Sequence, residues 1–329
     1  MQKSEIQIVW FKRDLRTIDH KPLFEASKTL KPILPIYVVE NEYWKQHFSN
    51  KRHWCFIYDS LIELRKELKK LGQSLIVRIG SVTDIFNELS TQFKIISIYA
   101  HEETGNQWTY ERDLNVKKWS NQKNIPLIEY PTNGIVRNLK NRDDWSKIRN
   151  LRMKENLIPE PVSLMPIHEI LEGSIPKKDN YIFKNDFMGK VQKGGRSEAL
   201  KIIQSFINDR GQNYLLNISK PGISEKTCSR ISPHLTWGTI SSKEIIKLLN
   251  LNKINSQKNR STINSRNLNA IKSRLSWRCH FIQKLESQPS IETSCMHPFY
   301  DKLREDDMNL EFYKAWKEGL TGYPFIDAC

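Results

Sequence analysis

Three stretches hold the side chains most able to grip an anion or a flat ring. Residues 9–23 (VWFKRDLRTIDHKPL) leave an apolar run at Phe11 and enter a charge cluster of Lys12, Arg13, Asp14, Arg16 and Asp19. Arginine forks and carboxylates this close either neutralise one another or hold a ligand; the residue types alone favour a salt-bridged turn closing a sheet. In the second stretch Gly194 and Gly195 open a helical pattern, Tyr214 stands ahead of Pro221, and CSRISP at 228–233 leads into a helix at Pro233. Small hydroxyl residues beside a helix start suit a phosphate, because free backbone N–H groups and the helix dipole point at the anion; capping by Ser232 is the plainer alternative. The third, residues 269–287, puts Ile271, Leu275, Arg278 and Ile282 on one helix face and sets Arg274 and Arg278 beside Trp277. A tryptophan exposed beside arginines makes a stacking and phosphate-contact set, whereas a core tryptophan flanked by surface arginines is the commoner arrangement.

The chain around them has 329 residues and is basic, with 52 Lys+Arg against 37 Asp+Glu, net +15. That excess favours a polyanionic partner such as nucleic acid, although a Lys- and Asn-rich proteome produces it too. A hydrophobic content of 38% with 9 tryptophans excludes a wholly disordered chain. Five scattered cysteines with no Cys-x-x-Cys pair argue against a zinc site and a disulfide framework. The first residues lack a signal-peptide core, and no uncharged apolar run is long enough for a bilayer. The expectation is a cytoplasmic monomer with no metal and no membrane partner.

Periodicity supplies the elements that must position these stretches. Short apolar runs at 6–11, 33–39, 74–80, 95–100 and 125–130 read as buried strands. Between them lie helical patterns, notably Ile57, Leu61, Leu64 and Leu68, with Gly72 as the C-cap. Such alternation predicts a parallel sheet covered by helices, with ligands at the carboxyl ends of the strands. Residues 131–190 carry Pro159, Pro161, Pro166 and Pro176 without a sustained period and read as a connection with short helices; the rest reads as helix, with a polar, basic loop over 252–267. No Gly-x-Gly-x-x-Gly follows the first strand, and no Walker loop, His-Glu-x-x-His or Gly-x-Ser-x-Gly occurs. Pro324 starts a final helix only one turn before Cys329.

In order and separation, the three stretches resemble the photolyase/cryptochrome flavoprotein family. WFKRDLRTIDHKPL is similar to the family's opening Trp-Phe-Arg-x-Asp-Leu-Arg-x-x-Asp-Asn-x-x-Leu, and GGRSEAL to its Gly-Gly-x-x-x-Ala-Leu. CSRISPHLTWGTIS resembles Thr-Ser-x-Leu-Ser-Pro-x-Leu-x-x-Gly-x-x-Ser, and WRCHF sits where the family has Trp-Arg-Glu-Phe. AWKEGLTGYPFIDAC matches Trp-x-x-Gly-x-Thr-Gly-x-Pro-x-Val-Asp-Ala. The resemblance covers the whole chain. It implies an α/β fold: a parallel-sheet, Rossmann-like antenna domain over 1–130, a connection over 131–190 and an incomplete all-helical FAD-binding domain over 191–329.

The resemblance also implies a function: blue-light-dependent, FAD-based repair of pyrimidine dimers in DNA, as by a deoxyribodipyrimidine photo-lyase. The alternatives it leaves are a cryptochrome photoreceptor without repair and an inert truncated product. FAD is the implied cofactor, and many relatives add a light-harvesting folate or deazaflavin. The residues it assigns to FAD are Tyr214, Cys228, Ser229, Arg230, Ile231 and Ser232, with Cys228 in place of the usual Thr. To DNA it assigns Trp277, Arg278 and Arg274, the last where repair enzymes carry a Glu. Ile271 stands where many members have Trp, and Asp306 replaces the exposed Trp of the electron relay. In the family the closing motif continues into most of the flavin pocket. The chain therefore reads as a C-terminally truncated member, expected to hold flavin poorly and to expose Phe312, Trp316 and Phe325.

Overall fold

The computed structural model describes residues 3–183, 189–256, 263–303 and 305–327. Part of the basic loop (257–262) and the terminal Ala328 and Cys329 lie outside them. In chain order the elements begin β1 (Glu5–Phe11), α1 (Lys21–Ser27), β2 (Ile33–Val39), α2 (Asn41–Lys45) and α3 (Lys51–Lys70). Then come β3 (Ile76–Ile79), α4 (Val82–Gln92), β4 (Lys94–His101), α5 (Gln107–Gln122), β5 (Leu127–Tyr130) and α6 (Trp145–Lys154). The helical part holds α7 (Arg196–Asn208), α8 (Tyr214–Asn217), α9 (Pro221–Thr227), α10 (Ser232–Thr236), α11 (Ser242–Ser256) and α12 (Ser265–Ser287), followed by α13 (Leu310–Glu318) and α14 (Pro324–Asp327).

All five expected strands form one parallel sheet in the order β3-β2-β1-β4-β5. Side chains alternate across a strand, so β1 serves two cores. Val9 and Phe11 pack with Trp54, Leu61 and Leu64 of α3, whereas Ile6, Ile8 and Trp10 pack with Phe86 of α4 and Trp119 of α5. Helix α3 starts earlier than its apolar pattern, because the Asn50 side chain accepts the Arg52 N–H and caps it.

The proline-rich connection is a strap laid on the sheet domain. Leu164 N–H donates to Leu71 O at 2.6 Å, Val77 N–H of β3 donates to Glu172 O at 2.8 Å, and the Trp54 indole donates to Pro176 O at 3.1 Å. The strap thereby satisfies part of an edge strand that would otherwise be open. It also contains α6, a short helix of the kind expected in this connection.

The chain forms two compact units, residues 1–287 and 288–329. Within the first, the helices lock onto α3. Gly195 N–H donates to Ser60 Oγ at 3.0 Å, and Ser197 N–H to Glu63 Oε1 at 2.6 Å. A Cβ on Gly194 would lie 2.0 Å from Phe56 O, and Gly195 has φ +101, so the glycine pair is what permits this close approach. Arg196 of α7 forks onto Glu244 of α11 at 2.8 and 2.6 Å. Gln283 of α12, fully buried, exchanges two hydrogen bonds with the Val136 backbone. Among the described residues no strand follows β5.

In the second unit, Asn309 caps α13 and Gly319 ends it in the left-handed region. Asp327 of α14 accepts from the N–H groups of Thr321 (2.8 Å) and Gly322 (3.0 Å), which pins the TGYP turn. Phe312, Trp316 and Phe325 are exposed.

Candidate functional site

Strand order reverses between β1 and β4, the place where open α/β sheets offer a crevice. Asp14, just past β1, is the centre of what gathers there. Its Oδ2 accepts from His20 Nε2 at 3.0 Å and from His101 Nδ1 at 2.7 Å, and its Oδ1 accepts the Lys12 N–H at 2.7 Å. All three side chains are buried. Burial alone would raise the Asp14 pKa, but the imidazoles of His20 and His101 outweigh it and hold the carboxyl well below its usual range. Burial pushes His20 down, and His101 down to about 3, so both are neutral donors.

The partners fix the tautomers. His20 Nδ1 accepts the Leu23 N–H at 3.1 Å, capping α1, so its proton sits on Nε2. His101 carries its proton on Nδ1, which leaves Nε2 an acceptor. Asp14, His20 and His101 lie close enough to ligate a cation. For His20 to do so, Nε2 would have to release its proton and Nδ1 would lose the α1 cap, so the hydrogen-bonded arrangement is the satisfied one.

The rest of the charge cluster is a salt-bridged turn, as its residue types favour. Lys12 meets Asp113 at 2.9 Å, and Asp19 meets Lys243 at 2.9 Å. Arg112 is shared by Glu103 (2.6 Å), Asp113 (2.8 Å) and Glu40 (3.0 Å). Burial, only partly offset by that shared guanidinium, pushes Glu40 up to about 7. Arg16, buried, donates to Gly238 O at 2.9 Å and so ties the turn to the segment between α10 and α11.

The same turn also lines a cavity of about 600 Å³. Arg13, Asp14 and His101 form its sheet side, and Trp237, Arg278 and Phe281 its helical side. Structure and ligand-holding are therefore not exclusive here: the ion pairs form the rigid floor of a cleft. His20, His101 and Glu103 were missed as site residues. His20 stood inside the charge cluster of residues 9–23, and for His101 and Glu103 the signal was polar residues placed directly after the apolar run of β4.

The residues assigned to FAD lie apart from this cavity. Cys228 ends α9, Arg230 is left-handed at φ +59, and Ile231 is buried ahead of α10. Among the described residues neither the Ser229 nor the Ser232 hydroxyl has a protein partner. Arg210 donates to the Cys228 carbonyl at 2.5 Å and braces the loop. Glu225 stands 3.7 Å from Arg230. Tyr214 is buried against Phe206, and burial raises its pKa, while Arg274 meets its hydroxyl. Two free hydroxyls, a phenol and nearby guanidiniums fit a diphosphate.

The three residues assigned to DNA diverge along α12. Arg274 turns to Tyr214, Arg278 donates to Leu235 O at 3.0 Å and faces the cleft, and Trp277 stays in the open at 53% exposure. Phe281 and His280 flank Trp277, with ring centroids 5.8 and 6.4 Å away. Ile271 is a core residue, and Asp306 is exposed.

Comparison with known proteins accounts for this arrangement. The sequence model described as DNA photolyase matches residues 7–144, and the one described as FAD binding domain of DNA photolyase matches residues 271–329. The chain is 27% identical to the deoxyribodipyrimidine photo-lyase of Buchnera aphidicola (Acyrthosiphon pisum symbiont), covering 100% of this chain and 69% of that protein. It is 24% identical to cryptochrome-2 of Arabidopsis thaliana, covering 100% of this chain and 56% of that one, less than two thirds of its length. Among solved structures, the archaeal photolyase from Sulfolobus tokodaii, described with two FAD molecules that imply a novel light-harvesting cofactor, superposes with a TM-score of 0.72 at 24% identity, over 98% of this chain and 69% of that one. With a parallel-sheet domain leading into helices and both family-specific segments matched, the chain belongs to the photolyase/cryptochrome family.

Proposed function

We propose that the chain acts in blue-light-driven repair of pyrimidine dimers in DNA, with FAD held at Tyr214 and the loop of Cys228, Ser229, Arg230, Ile231 and Ser232. The observation that carries this reading is Trp277, a large aromatic face left exposed on a helix of a chain with net charge +15. An aromatic face suits a flat, flipped-out lesion, and the positive charge suits the phosphate backbone. The chemistry supplied by bound FAD is light-driven electron donation; the chain's side chains bind, orient and exclude water. The 600 Å³ cleft, of a size that holds a small cofactor, is the place for a second, light-harvesting chromophore of folate or flavin type.

Trp277→Ala tests the repair reading. It should weaken binding of dimer-containing DNA by roughly 1–3 kcal/mol while undamaged DNA loses little. Equal losses on both would mean that Trp277 serves packing alone. A second reading, a photoreceptor without repair, draws on Arg274: a cation turned to Tyr214 cannot accept the hydrogen bonds of a base edge. Unchanged dimers after illumination of the FAD-loaded protein would favour that reading.

A further inference from the structure

Three cations from separate parts of the helical region line one cavity of about 340 Å³. Lys201 comes from α7, Arg210 from the 3-10 turn that follows it, and Arg230 from the loop before α10; Gln192, Ile202 and Ser205 complete the wall. No carboxylate is among these lining residues. Glu198 and Glu225 approach from outside, at 2.8 Å from Lys201 and 3.7 Å from Arg230. The Glu225 side chain is 75% exposed, where water screens an ion pair.

Arg210 is the fixed member. Its Nε donates to Ser205 Oγ at 3.0 Å, its Nη1 to Cys228 O at 2.5 Å and its Nη2 to Ile202 O at 2.9 Å. These acceptors are neutral, so the guanidinium is held in place without a counter-charge. Burial and the positive charge of Arg230 lower its pKa, and the adjacent Asp209 offsets only part of that. Arg230 is set beside it on backbone at φ +59, a left-handed conformation that an L side chain adopts at a cost. Gln192 Nε2 donates to the Arg230 carbonyl at 2.6 Å and holds it there. Two guanidiniums that repel one another, one of them on strained backbone, are an arrangement that protein contacts alone leave unexplained.

An anion between them resolves it. A guanidinium offers five N–H donors and an ammonium three, more than these protein contacts use. A phosphate monoester carries between about −1.5 and −2 charges at neutral pH and several acceptor oxygens, which suits converging cations better than a carboxylate does. We propose that this cavity is a phosphate site, taking inorganic phosphate or the phosphate monoester of a nucleotide between Lys201, Arg210 and Arg230. It is separate from the FAD contacts on the same loop, since Tyr214, Ser229 and Ser232 are not among its lining residues. Arg210 and Gln192 also hold the Cys228 and Arg230 carbonyls, so an anion that cancels the repulsion between the two arginines steadies the loop backbone as well.

The test is a calorimetric titration of the full chain with inorganic phosphate and with adenosine monophosphate, at an ionic strength held constant with sodium chloride. Both should bind and adenosine should not; a tighter adenosine monophosphate assigns the site to a nucleotide, and equal affinities assign it to the bare anion. Arg230→Gln and Lys201→Gln should each weaken phosphate about tenfold, the scale of one charge-assisted contact. Arg230→Lys, which keeps the charge, should recover part of the loss. Lys201 is exposed on α7, so its replacement leaves the fold intact. In nitrogen-15 spectra of the wild type, the backbone amides of residues 228–232 should move when phosphate is added, a readout that needs no variant. Saturating FAD should leave phosphate binding in place. Displacement of phosphate by chloride at matched ionic strength, or equal binding by the wild type and both glutamine variants, would overturn the proposal. Displacement by FAD would overturn it too, by showing the cavity to be FAD's own phosphate site, and would uphold FAD at the loop. Failure of FAD to bind would undo the FAD reading and leave this site standing.

Discussion

The turn after β1 and the loop before α10 are both rich in groups that suit an anion, yet they are built on opposite plans. In the turn, Asp14, His20 and Lys12 are buried and partnered within the protein, and the polarity is spent on rigidity. In the loop, Ser232 and Arg230 are exposed, Ser229 is half-buried, and the serine hydroxyls have no protein partner among the described residues. Removing a partner from a buried network strands the groups left behind, whereas removing an exposed, unpartnered hydroxyl strands nothing. Damage to the turn should therefore register as lost stability, and damage to the loop as lost ligand.

The largest effect belongs to Asp14→Ala. It leaves two buried imidazole N–H groups without an acceptor and should cost about 3–5 kcal/mol in denaturant unfolding. A loss below 1 kcal/mol would show the cluster to be ornamental. Acid should act on the same cluster. His20 and His101 lie below the ordinary imidazole value, so they favour the fold above pH 6.5, and that contribution is lost as pH falls below it, for His101 toward about 3.

Glu40 runs the other way. Its folded pKa, about 7, lies above the ordinary carboxyl value, so its contribution is full below pH 4.5 and is lost as pH rises through 7. Glu40→Gln, which can still accept from Arg112, should be the more stable protein at pH 8 by on the order of 2 kcal/mol, with the gain fading toward pH 5. A gain independent of pH would point to packing instead.

The smallest effects should come from the loop. Ser229→Ala and Ser232→Ala should each change stability by less than about 0.5 kcal/mol. Each should also weaken FAD binding by about 0.5–1.5 kcal/mol, read by flavin fluorescence. A stability loss comparable to that of Asp14→Ala would erase the contrast between the two regions.

Much of the fold was legible because its signals are local. The five apolar runs became the five strands, since a strand buried on both faces must be apolar along its length whatever surrounds it. The glycine pair that opens α7 is likewise a short-range fact. Short helices were expected in the connection but not where α6 starts and ends, because its buried side, Trp145, Arg149 and Met153, is too mixed a set to show a period.

The residue types of the charge cluster, too, were in the sequence, and so was their preference for neutralising one another. What they neutralise against was not: His101 is 87 residues from Asp14 and Asp113 is 101 from Lys12, distances closed only when β4 settles beside β1. Arg274, Trp277 and Arg278 show the same limit on one helix. Their spacing placed them together, but packing sent Arg274 to Tyr214 and Arg278 to Leu235, leaving Trp277 on the surface beside His280 and Phe281. Pattern determines what a segment must bury; which distant group satisfies each polar atom is decided only when the segments meet, because a hydrogen bond reaches no further than its own partner.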